Sequence, residues 1–375
     1  MFHKLFAIVI LYFLFFIPQT AFAITDPLAQ PNNKFGIHIL DDFELSEAAK
    51  LINSNGGDWG YVTIPITIND TNHEKWEKFM ENCKTFHIIP ILRLATEGEQ
   101  TNSGIWREGT RADIVKLADF LATLDWPIQN RYIIVFNEVN RSDEWGGKVN
   151  PADYAELLSF TTTVFKSKSP DFFIISAGLD NAAPNQGSKF MDEYEYMKDM
   201  QLAIPGIFNQ IDGLASHSYP NPGFSQPPAT DSARGVSSFR YERELAESLS
   251  NKKLPVFITE TGWSADAVSD AKRAEYYKET FQTIWNDPGI VAITPFLFEA
   301  KYGPFQKFSF LTNNNTETQQ YDAVKTLAKV QGDPAQPVTP ATKVLAAETK
   351  RTQPKQKPSG FSFANMIQTI IDFLM

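Results

Sequence analysis

The chain has 375 residues, of which 43% are apolar, and it contains 30 Phe, 12 Tyr and 7 Trp. This composition supports a sizeable core and excludes a largely disordered chain. The formal charge of −10 argues against a nucleic-acid binder, which needs a basic face. The single cysteine, Cys83, excludes an intramolecular disulfide and a cysteine-based metal cluster.

Residues 1–23 have the pattern of a secretory signal peptide. Lys4 supplies the positive start, residues 5–17 are apolar, and Ala21-Phe22-Ala23 forms a cleavage site of small residues. The alternative is an uncleaved membrane anchor, although the apolar run is shorter than the roughly 20 residues that span a bilayer. We therefore expect cleavage after Ala23 and an exported protein, which is extracellular, periplasmic or attached to the cell surface.

Residues 24–331 alternate eight times between an apolar run and a helical segment. The clearest helix begins with Asn150 as N-cap and Pro151 at the first helical position. The apolar runs are continuous, as in strands that are buried on both faces. They cover residues 35–40, 60–66, 87–94, 131–138, 172–178, 211–219, 254–260 and 290–298.

Eight strand–helix units predict an α/β fold of the (β/α)₈ TIM-barrel type. A doubly wound open sheet would also alternate, but it normally carries a glycine-rich phosphate turn after its first strand. The stretch "IHILDDFEL" after the first predicted strand contains no glycine. The barrel is the favoured interpretation.

The composition changes at residue 332. Residues 332–360 are rich in Pro, Lys and Gln and predict a disordered linker. Residues 361–375 place Phe363, Ile367 and Ile371 at helical spacing and predict a short amphipathic helix. This helix is too short to span a bilayer, and three alternatives stay open: it lies on an anionic membrane surface, docks on the barrel or a partner, or frays in solution.

Two predicted strands end in a carboxylate after a wholly apolar run. "YIIVFNE" closes the fourth strand with Glu138, and "PVFITE" closes the seventh with Glu260. In a closed barrel these two strand ends face one another across the lumen. One such carboxylate alone only reaches solvent, whereas a pair about 5–5.5 Å apart can cleave a glycoside with retention of configuration.

Together, "FNE" at the fourth strand, "SHSYP" at the sixth and "ITETGW" at the seventh resemble the retaining glycoside hydrolases of clan A. The resemblance covers roughly residues 35 to 330. It implies a barrel enzyme that hydrolyses O-glycosidic bonds, expected to be β-linked, in a polysaccharide or oligosaccharide by double displacement. Glu138 then matches the acid/base, Glu260 the nucleophile and Asn137 the amide that binds the sugar 2-hydroxyl. His217 and Tyr219 match the pair that orients the nucleophile.

Further substrate contacts are predicted for one basic and four aromatic residues. Arg93, at the end of the third strand, resembles a basic residue that some clan members keep near the nucleophile. Many members close the eighth strand with a Trp under the sugar, but this chain has "FLFEA", so Phe298 or Trp263 is expected to take that place. Trp106 and Trp145, in the loops after the third and fourth strands, are candidates for stacking on sugars, with ordinary loop packing as the alternative.

No spacing of His, Asp and Glu predicts a metal site, and no cofactor is expected. His38 is interpreted as a satisfied core histidine rather than a ligand. Asp180 and Glu299 are interpreted as solvated strand ends, with the lining of sugar subsites as the alternative. The carbohydrate is the expected partner, and we expect a monomer. Two alternatives to the hydrolase remain: a non-catalytic surface barrel that binds glycans, and a transglycosylase.

Overall fold

The computed structural model of the protein describes residues 24–97 and 104–337. Within them lie eight strands, each of which is followed by at least one helix, as the sequence predicts. The strands are β1 Gly36–His38, β2 Gly60–Thr67, β3 Ile88–Ala95, β4 Arg131–Ile134, β5 Phe172–Ile175, β6 Leu214–His217, β7 Val256–Glu260 and β8 Ile290–Ile293.

All paired strands are parallel and form a closed barrel. Strands β1 to β5 make one sheet and β6 to β8 a second sheet, each in sequence order. A bridge between Ile175 and Gly213 joins β5 to the β6 segment, and a bridge between Phe35 and Ile293 joins the start of β1 to β8. These two bridges close the ring, and the prediction of a TIM barrel is confirmed.

Nine α-helices surround the barrel in the described part of the chain. They are α1 Leu45–Ile52, α2 His73–Phe86, α3 Arg111–Ala122, α4 Pro151–Lys168, α5 Glu193–Ala203, α6 Ile207–Gln210, α7 Ser238–Ser250, α8 Asp270–Gln282 and α9 Gln319–Thr326. Helix α4 begins as predicted: the Asn150 side chain accepts a hydrogen bond from the backbone N–H of Asp153, and Pro151 is the first helical residue. No helix in residues 24–97 or 104–337 combines the length and the hydropathy needed to cross a membrane.

Aromatic side chains fill the lumen below the active face. The ring of Tyr132 lies 5.0 Å from that of Phe173 and 5.4 Å from that of Phe257. At the other end of the barrel, the side-chain amide of Asn32 donates to the carbonyl of Val291 at 2.7 Å. A filled lumen leaves the carboxyl ends of the strands as the open face, where TIM-barrel enzymes place their catalytic groups.

The predicted fourth strand, residues 131–138, is too long, because β4 ends at Ile134. Phe136 and Glu138 have φ angles of +69° and +34°, which is left-handed backbone that a strand cannot contain. The run nevertheless stays apolar because Val135 and Phe136 are buried in the core. Glu138 therefore belongs to the loop after β4, and its backbone N–H donates to the carbonyl of Gly178 at 2.9 Å.

The boundary predicted at residue 332 falls in a stretch that contacts the barrel. The backbone N–H of Gly332 donates to Asp58 at 3.0 Å, and that of Asp333 donates to Pro31 at 2.8 Å. The predicted signal peptide (1–23), the linker beyond residue 337 and the C-terminal helix (361–375) lie outside the described residues, and they stay predictions.

Candidate active site

Glu138 and Glu260 meet at the centre of the open face. Glu260 is the last residue of β7, and Glu138 lies in the loop after β4. Their side chains are 9% and 12% exposed, so both are largely shielded but reachable from solvent. Ligand-capable atoms of Glu138, Glu260 and His217 all lie within 4.8 Å of one another. The structure thus brings together the two carboxylates that the sequence places on opposite strands.

Two donors hold the carboxylate of Glu260. Nη1 of Arg93, on β3, donates to Oε1 at 2.7 Å, and the hydroxyl of Tyr219 donates to Oε2 at 3.0 Å. Burial raises the pKa of Glu260, but the charges of His217 and Arg93 outweigh burial and hold this pKa below its usual value. Glu260 is therefore an ionised carboxylate at neutral pH.

His217 lies between the two glutamates. Its Nδ1 is 3.0 Å from Oε1 of Glu138 and 3.8 Å from Oε2 of Glu260, so its shorter contact is with Glu138 rather than with the nucleophile candidate. Burial lowers the pKa of His217, but the carboxylates of Glu260 and Glu138 outweigh burial and raise it. The ring packs on Gly178, where a Cβ would lie 2.1 Å from Cδ2 of His217, so only glycine leaves room for it.

The amide of Asn137 is held from both ends. Its Oδ1 accepts from Nη1 of Arg93 at 2.5 Å, and its Nδ2 donates to Oε2 of Glu144 at 3.3 Å. A donor on one side and an acceptor on the other determine which end of the amide is nitrogen. Sequence reasoning missed Glu144, which follows Asn137 in the same loop; its burial and the charge of Glu138 raise its pKa to about 7.

Arg141 is a second residue that the sequence did not indicate. Its Nη1 lies 3.2 Å from Oε2 of Glu138 and 3.5 Å from Oδ2 of Asp180. Asp143 anchors the same guanidinium through contacts of 3.1 and 2.7 Å. Asp180, interpreted above as a solvated strand end, is instead part of this network, and burial together with the charge of Glu138 raises its pKa.

The interpretation of His38 as a satisfied core histidine is wrong. His38 is fully buried, and neither ring nitrogen has a hydrogen-bond partner of good geometry among the residues that the structure describes. Its Nε2 lies 3.8 Å from Oε1 of Glu260. Burial, followed by the positive charge of Arg93, lowers the pKa of His38 to about 3. A neutral imidazole thus forms part of the floor beside Glu260.

Three of the four aromatic side chains predicted to contact the substrate are buried. Trp145 is 1% exposed and packs edge-on against Phe136 and Tyr154. A side chain enclosed in this way presents no face to a sugar.

Trp263 and Phe298 are enclosed as well. Trp263 packs against Tyr277 at 5.0 Å and donates its indole N–H to Gln226, and Phe298 packs against Tyr321. Trp106 is half-buried, and its stacking on sugar stays a prediction.

Phe296 lies nearer the floor of the site than Phe298 does. Its ring lies 5.2 Å from that of His38 and meets it edge-on, so among the aromatic residues of β8 and its loop it is the one next to the floor of the site. The motif "FLFEA" could not distinguish the two, because β8 ends at Ile293 and strand periodicity does not orient the side chains beyond it.

Glu138, His217 and Glu260 are spaced closely enough to share a metal ion. Both oxygens of Glu260 already accept hydrogen bonds from Arg93 and Tyr219, and the guanidinium 2.7 Å from Oε1 would repel a cation. The arrangement fits a hydrogen-bonded carboxylate pair better than a metal site.

We expect His217 to remain protonated above pH 6.5, the ordinary histidine value, because two carboxylates flank it. His38 should stay neutral down to about pH 3. Histidine-labelled NMR across a pH series measures both, with spectra of His217→Asn and His38→Asn to assign the signals. Glu138→Gln should lower the pH at the titration midpoint of His217. A midpoint below pH 6.5 in the wild type would contradict the expected effect of the two carboxylates.

Comparison with known proteins agrees with this site. The model of the family described as the glycosyl hydrolase catalytic core matches residues 105–324, which is more than half of the chain. No curated protein matches the sequence.

Solved structures share the fold at low sequence identity. A family 39 glycoside hydrolase from the gut symbiont Bacteroides cellulosilyticus WH2 is 18% identical with a TM-score of 0.57; the match covers 81% of this chain and 64% of that one, less than two thirds of its length. A GH39 β-xylosidase from Caulobacter crescentus is 14% identical, with a TM-score of 0.53 and coverage of 82% and 72%. Thermotoga maritima Cel5A, solved with mannotriose, is 14% identical, with a TM-score of 0.51 and coverage of 80% and 100%.

These neighbours are glycosidase barrels, in agreement with the predicted resemblance. The family match covers most of the barrel, from the loop before α3 to α9, and includes Glu138, His217, Tyr219 and Glu260. The chain belongs to the glycosyl hydrolase catalytic core family.

Proposed function

We propose that this glycoside hydrolase is a retaining enzyme that cleaves β-glycosidic bonds in a polysaccharide or oligosaccharide. The observation that carries the proposal is the close approach of Glu138 and Glu260, whose oxygens lie within 4.8 Å. Retaining enzymes hold their carboxyl groups about 5–5.5 Å apart, whereas inverting enzymes leave about 6.5–9.5 Å for a water molecule. The short distance between the carboxylate oxygens of Glu138 and Glu260 supports the retaining alternative.

Glu260 is the nucleophile in this proposal. Its carboxylate is kept ionised by Arg93 and His217 and is held in place by Tyr219. In the first step an oxygen of Glu260 attacks the anomeric carbon as the bond to the leaving oxygen breaks. The product of this step is a covalent glycosyl-enzyme.

Glu138 is the acid/base. Its protonated form donates to the leaving oxygen, and its carboxylate then removes a proton from the water that attacks the glycosyl-enzyme, which releases the sugar with net retention. Glu138 has two further acids near it, Glu144 and Asp180, besides its contacts with Arg141 and His217. The hydrogen-bond partners of Glu260 are instead the donors Arg93 and Tyr219. This difference supports the division of roles, because carboxylates in unlike environments take unlike roles.

The β configuration and export are further parts of the proposal. The name of the GH39 β-xylosidase from Caulobacter crescentus, which has the same fold, favours β-linked substrates. Lys4, the apolar residues 5–17 and the Ala21-Phe22-Ala23 site support export. Sequencing the N-terminus of the secreted chain should find Ile24 first; Met1 there would contradict cleavage.

Substitution of each glutamate tests the mechanism. Glu260→Ala should lose about 10³-fold or more in kcat on any aryl β-glycoside, because no covalent intermediate forms. Glu138→Ala should lose as much on alkyl glycosides but far less on 2,4-dinitrophenyl glycosides in the first step, because that leaving group needs no proton.

Glu156→Ala, an exposed carboxylate on α4, is the matched control and should retain wild-type rates. NMR of the first product should show the β anomer. Near-wild-type turnover in both glutamate variants, or an inverted product, would refute the mechanism. Glycan binding without any product in the wild type would instead identify a non-catalytic barrel.

Glu144 is expected to act through Asn137. Asn137→Ala should lower kcat/KM on ordinary glycosides about 10-fold to 100-fold, because its amide is proposed to bind the 2-hydroxyl in the transition state. Glu144→Ala, which frees that amide, should lower it roughly 10-fold. Both losses should largely vanish on a 2-deoxy glycoside; equal losses on the two substrates would show that Glu144 has a general structural role.

A further inference from the structure

Exposed apolar side chains are concentrated beside the active face. Nine large apolar side chains are exposed in the described part of the chain, and four of them lie on the loops after β1 and β8. Three are aromatic: Phe43, Tyr302 and Phe305 are 69%, 85% and 43% exposed, and Leu40 accompanies them. Several exposed apolar side chains on neighbouring loops, unlike scattered single side chains, indicate a binding surface.

The two loops are neighbours on the barrel. The strands before them are joined at their start by the bridge between Phe35 and Ile293. At their end the backbone N–H of Phe298 donates to the carbonyl of His38 at 2.8 Å. The four side chains therefore share one sector of the rim, and we call Leu40, Phe43, Tyr302 and Phe305 the rim platform.

A continuous path of rings joins the rim platform to the nucleophile. The ring of Phe305 meets that of Phe296 at 5.1 Å and nearly at a right angle. Phe296 in turn meets His38 at 5.2 Å, and Nε2 of His38 lies 3.8 Å from Glu260. Phe305 thus connects the rim platform, through Phe296 and His38, to the wall beside Glu260.

The position of the rim platform determines which part of a substrate can reach it. In a closed ring of eight strands, β8 lies opposite β4, and the acid/base Glu138 follows β4. The leaving group must lie on the side of Glu138, because it receives the proton of Glu138. The side of β8 and β1 therefore faces the glycone, which is the part of the substrate that stays bound to Glu260.

The charges of the two loops disfavour an anionic sugar. The loops after β1 and β8 contain five acids, of which Glu44 is buried, and two bases. The acids are Asp41, Asp42, Glu44, Glu299 and Glu317, and the bases are Lys301, which pairs with Glu299 at 3.1 Å, and Lys307. A uronate or sulfated chain would meet a net negative surface there. A neutral pyranose, whose C–H face stacks on aromatic rings, fits both the charge and the exposed rings.

We propose that the rim platform is a glycone subsite that binds a neutral glycan one or more sugar units beyond the sugar held at Glu260, with Phe305 and Tyr302 as its stacking faces. This inference rests on the proposed roles of Glu138 and Glu260. The enzyme accordingly acts on an extended neutral glycan whose non-reducing end projects over β8 and β1.

Binding to an inactive variant tests the subsite. The full chain carrying Glu260→Gln is titrated calorimetrically with cello-, xylo-, manno- and laminari-oligosaccharides of increasing length from the disaccharide. Affinity should rise with length in at least one series. Adding Phe305→Ala or Tyr302→Ala should lower the affinity for the longer members roughly 10-fold, as expected for a lost aromatic stacking contact.

Leu202→Ala is the matched control, since Leu202 is an exposed apolar residue on α5 and lies far from the active face in the fold. This change should leave affinity unaltered, and Tyr302→Phe, which keeps the ring, should retain it. Equal affinities in the platform variants and their parent, no binding by any neutral series, or binding only of acidic oligosaccharides would overturn the subsite. Loss of self-association or of lipid-vesicle binding in the platform variants, with glycan affinity unchanged, would assign the patch to another partner and equally overturn it.

A separate measurement tests the proposed function. Aryl monoglycosides occupy only the catalytic site, so their hydrolysis by the wild type and by Glu260→Gln tests the nucleophile without the rim platform. A Glu260→Gln variant as active as the wild type would refute the mechanism, while the comparison of affinities would still decide the subsite.

Discussion

The active face is organised around one buried negative charge, the carboxylate of Glu260. Burial alone would favour its neutral form, and it stays ionised because Arg93 and His217 stand beside it while Tyr219 donates to it. A buried ion pair offsets its desolvation only when the geometry is good and further hydrogen bonds satisfy both partners. Since these partners come from β3 and from the end of β6, the charge state of Glu260 requires the closed barrel.

The second carboxylate has a different environment, and this difference gives the pair its chemistry. Glu138 sits on left-handed backbone between the imidazole of His217 and the guanidinium of Arg141. Its other neighbours include Glu144 and Asp180, whose own pKa values are raised by burial and by Glu138. Glu260 is thus held by Arg93, His217 and the hydroxyl of Tyr219, whereas Glu138 lies among both acidic and basic side chains. Two carboxylates in unlike surroundings can serve as nucleophile and proton carrier.

The two sides of the site also differ in polarity. The loops after β4 and β5 carry the charged network of Arg141, Asp143 and Asp180. On the other side, Tyr219, Phe296 and Phe308 form an apolar cluster that continues outward to Phe305. With the proposed roles of the two glutamates, a substrate across this face would place its leaving group against charge and hydrogen-bond partners, and its glycone against rings. This difference in polarity is the basis of the proposed orientation of the sugar chain.

Much of the fold and the central pair followed from the sequence. Eight continuous apolar runs, each with a helical segment behind it, predict the barrel, because strands buried on both faces have that composition. Strand order then places Glu138 and Glu260 on opposite sides of one lumen, and Arg93, His217 and Tyr219 at neighbouring strand ends. These conclusions depend on periodicity and order along the chain, which are local properties.

Other features depended on the tertiary structure. Val135 and Phe136 stay apolar although the backbone has left the strand, so composition could not locate the end of β4. His38, Arg141 and Glu144 are unremarkable in sequence and become part of the site only through contacts with Glu260, Glu138 and Asn137.

Trp145, Trp263 and Phe298 show the same limit for aromatic residues, since an aromatic side chain in a loop has the same sequence pattern whether it packs inward or stands in water. The sequence by itself determined the barrel and which two carboxylates face one another. Only the tertiary structure decided the charge state of Glu260 and the residues that surround the pair, because a pKa and a contact depend on distances between groups that are far apart in the chain.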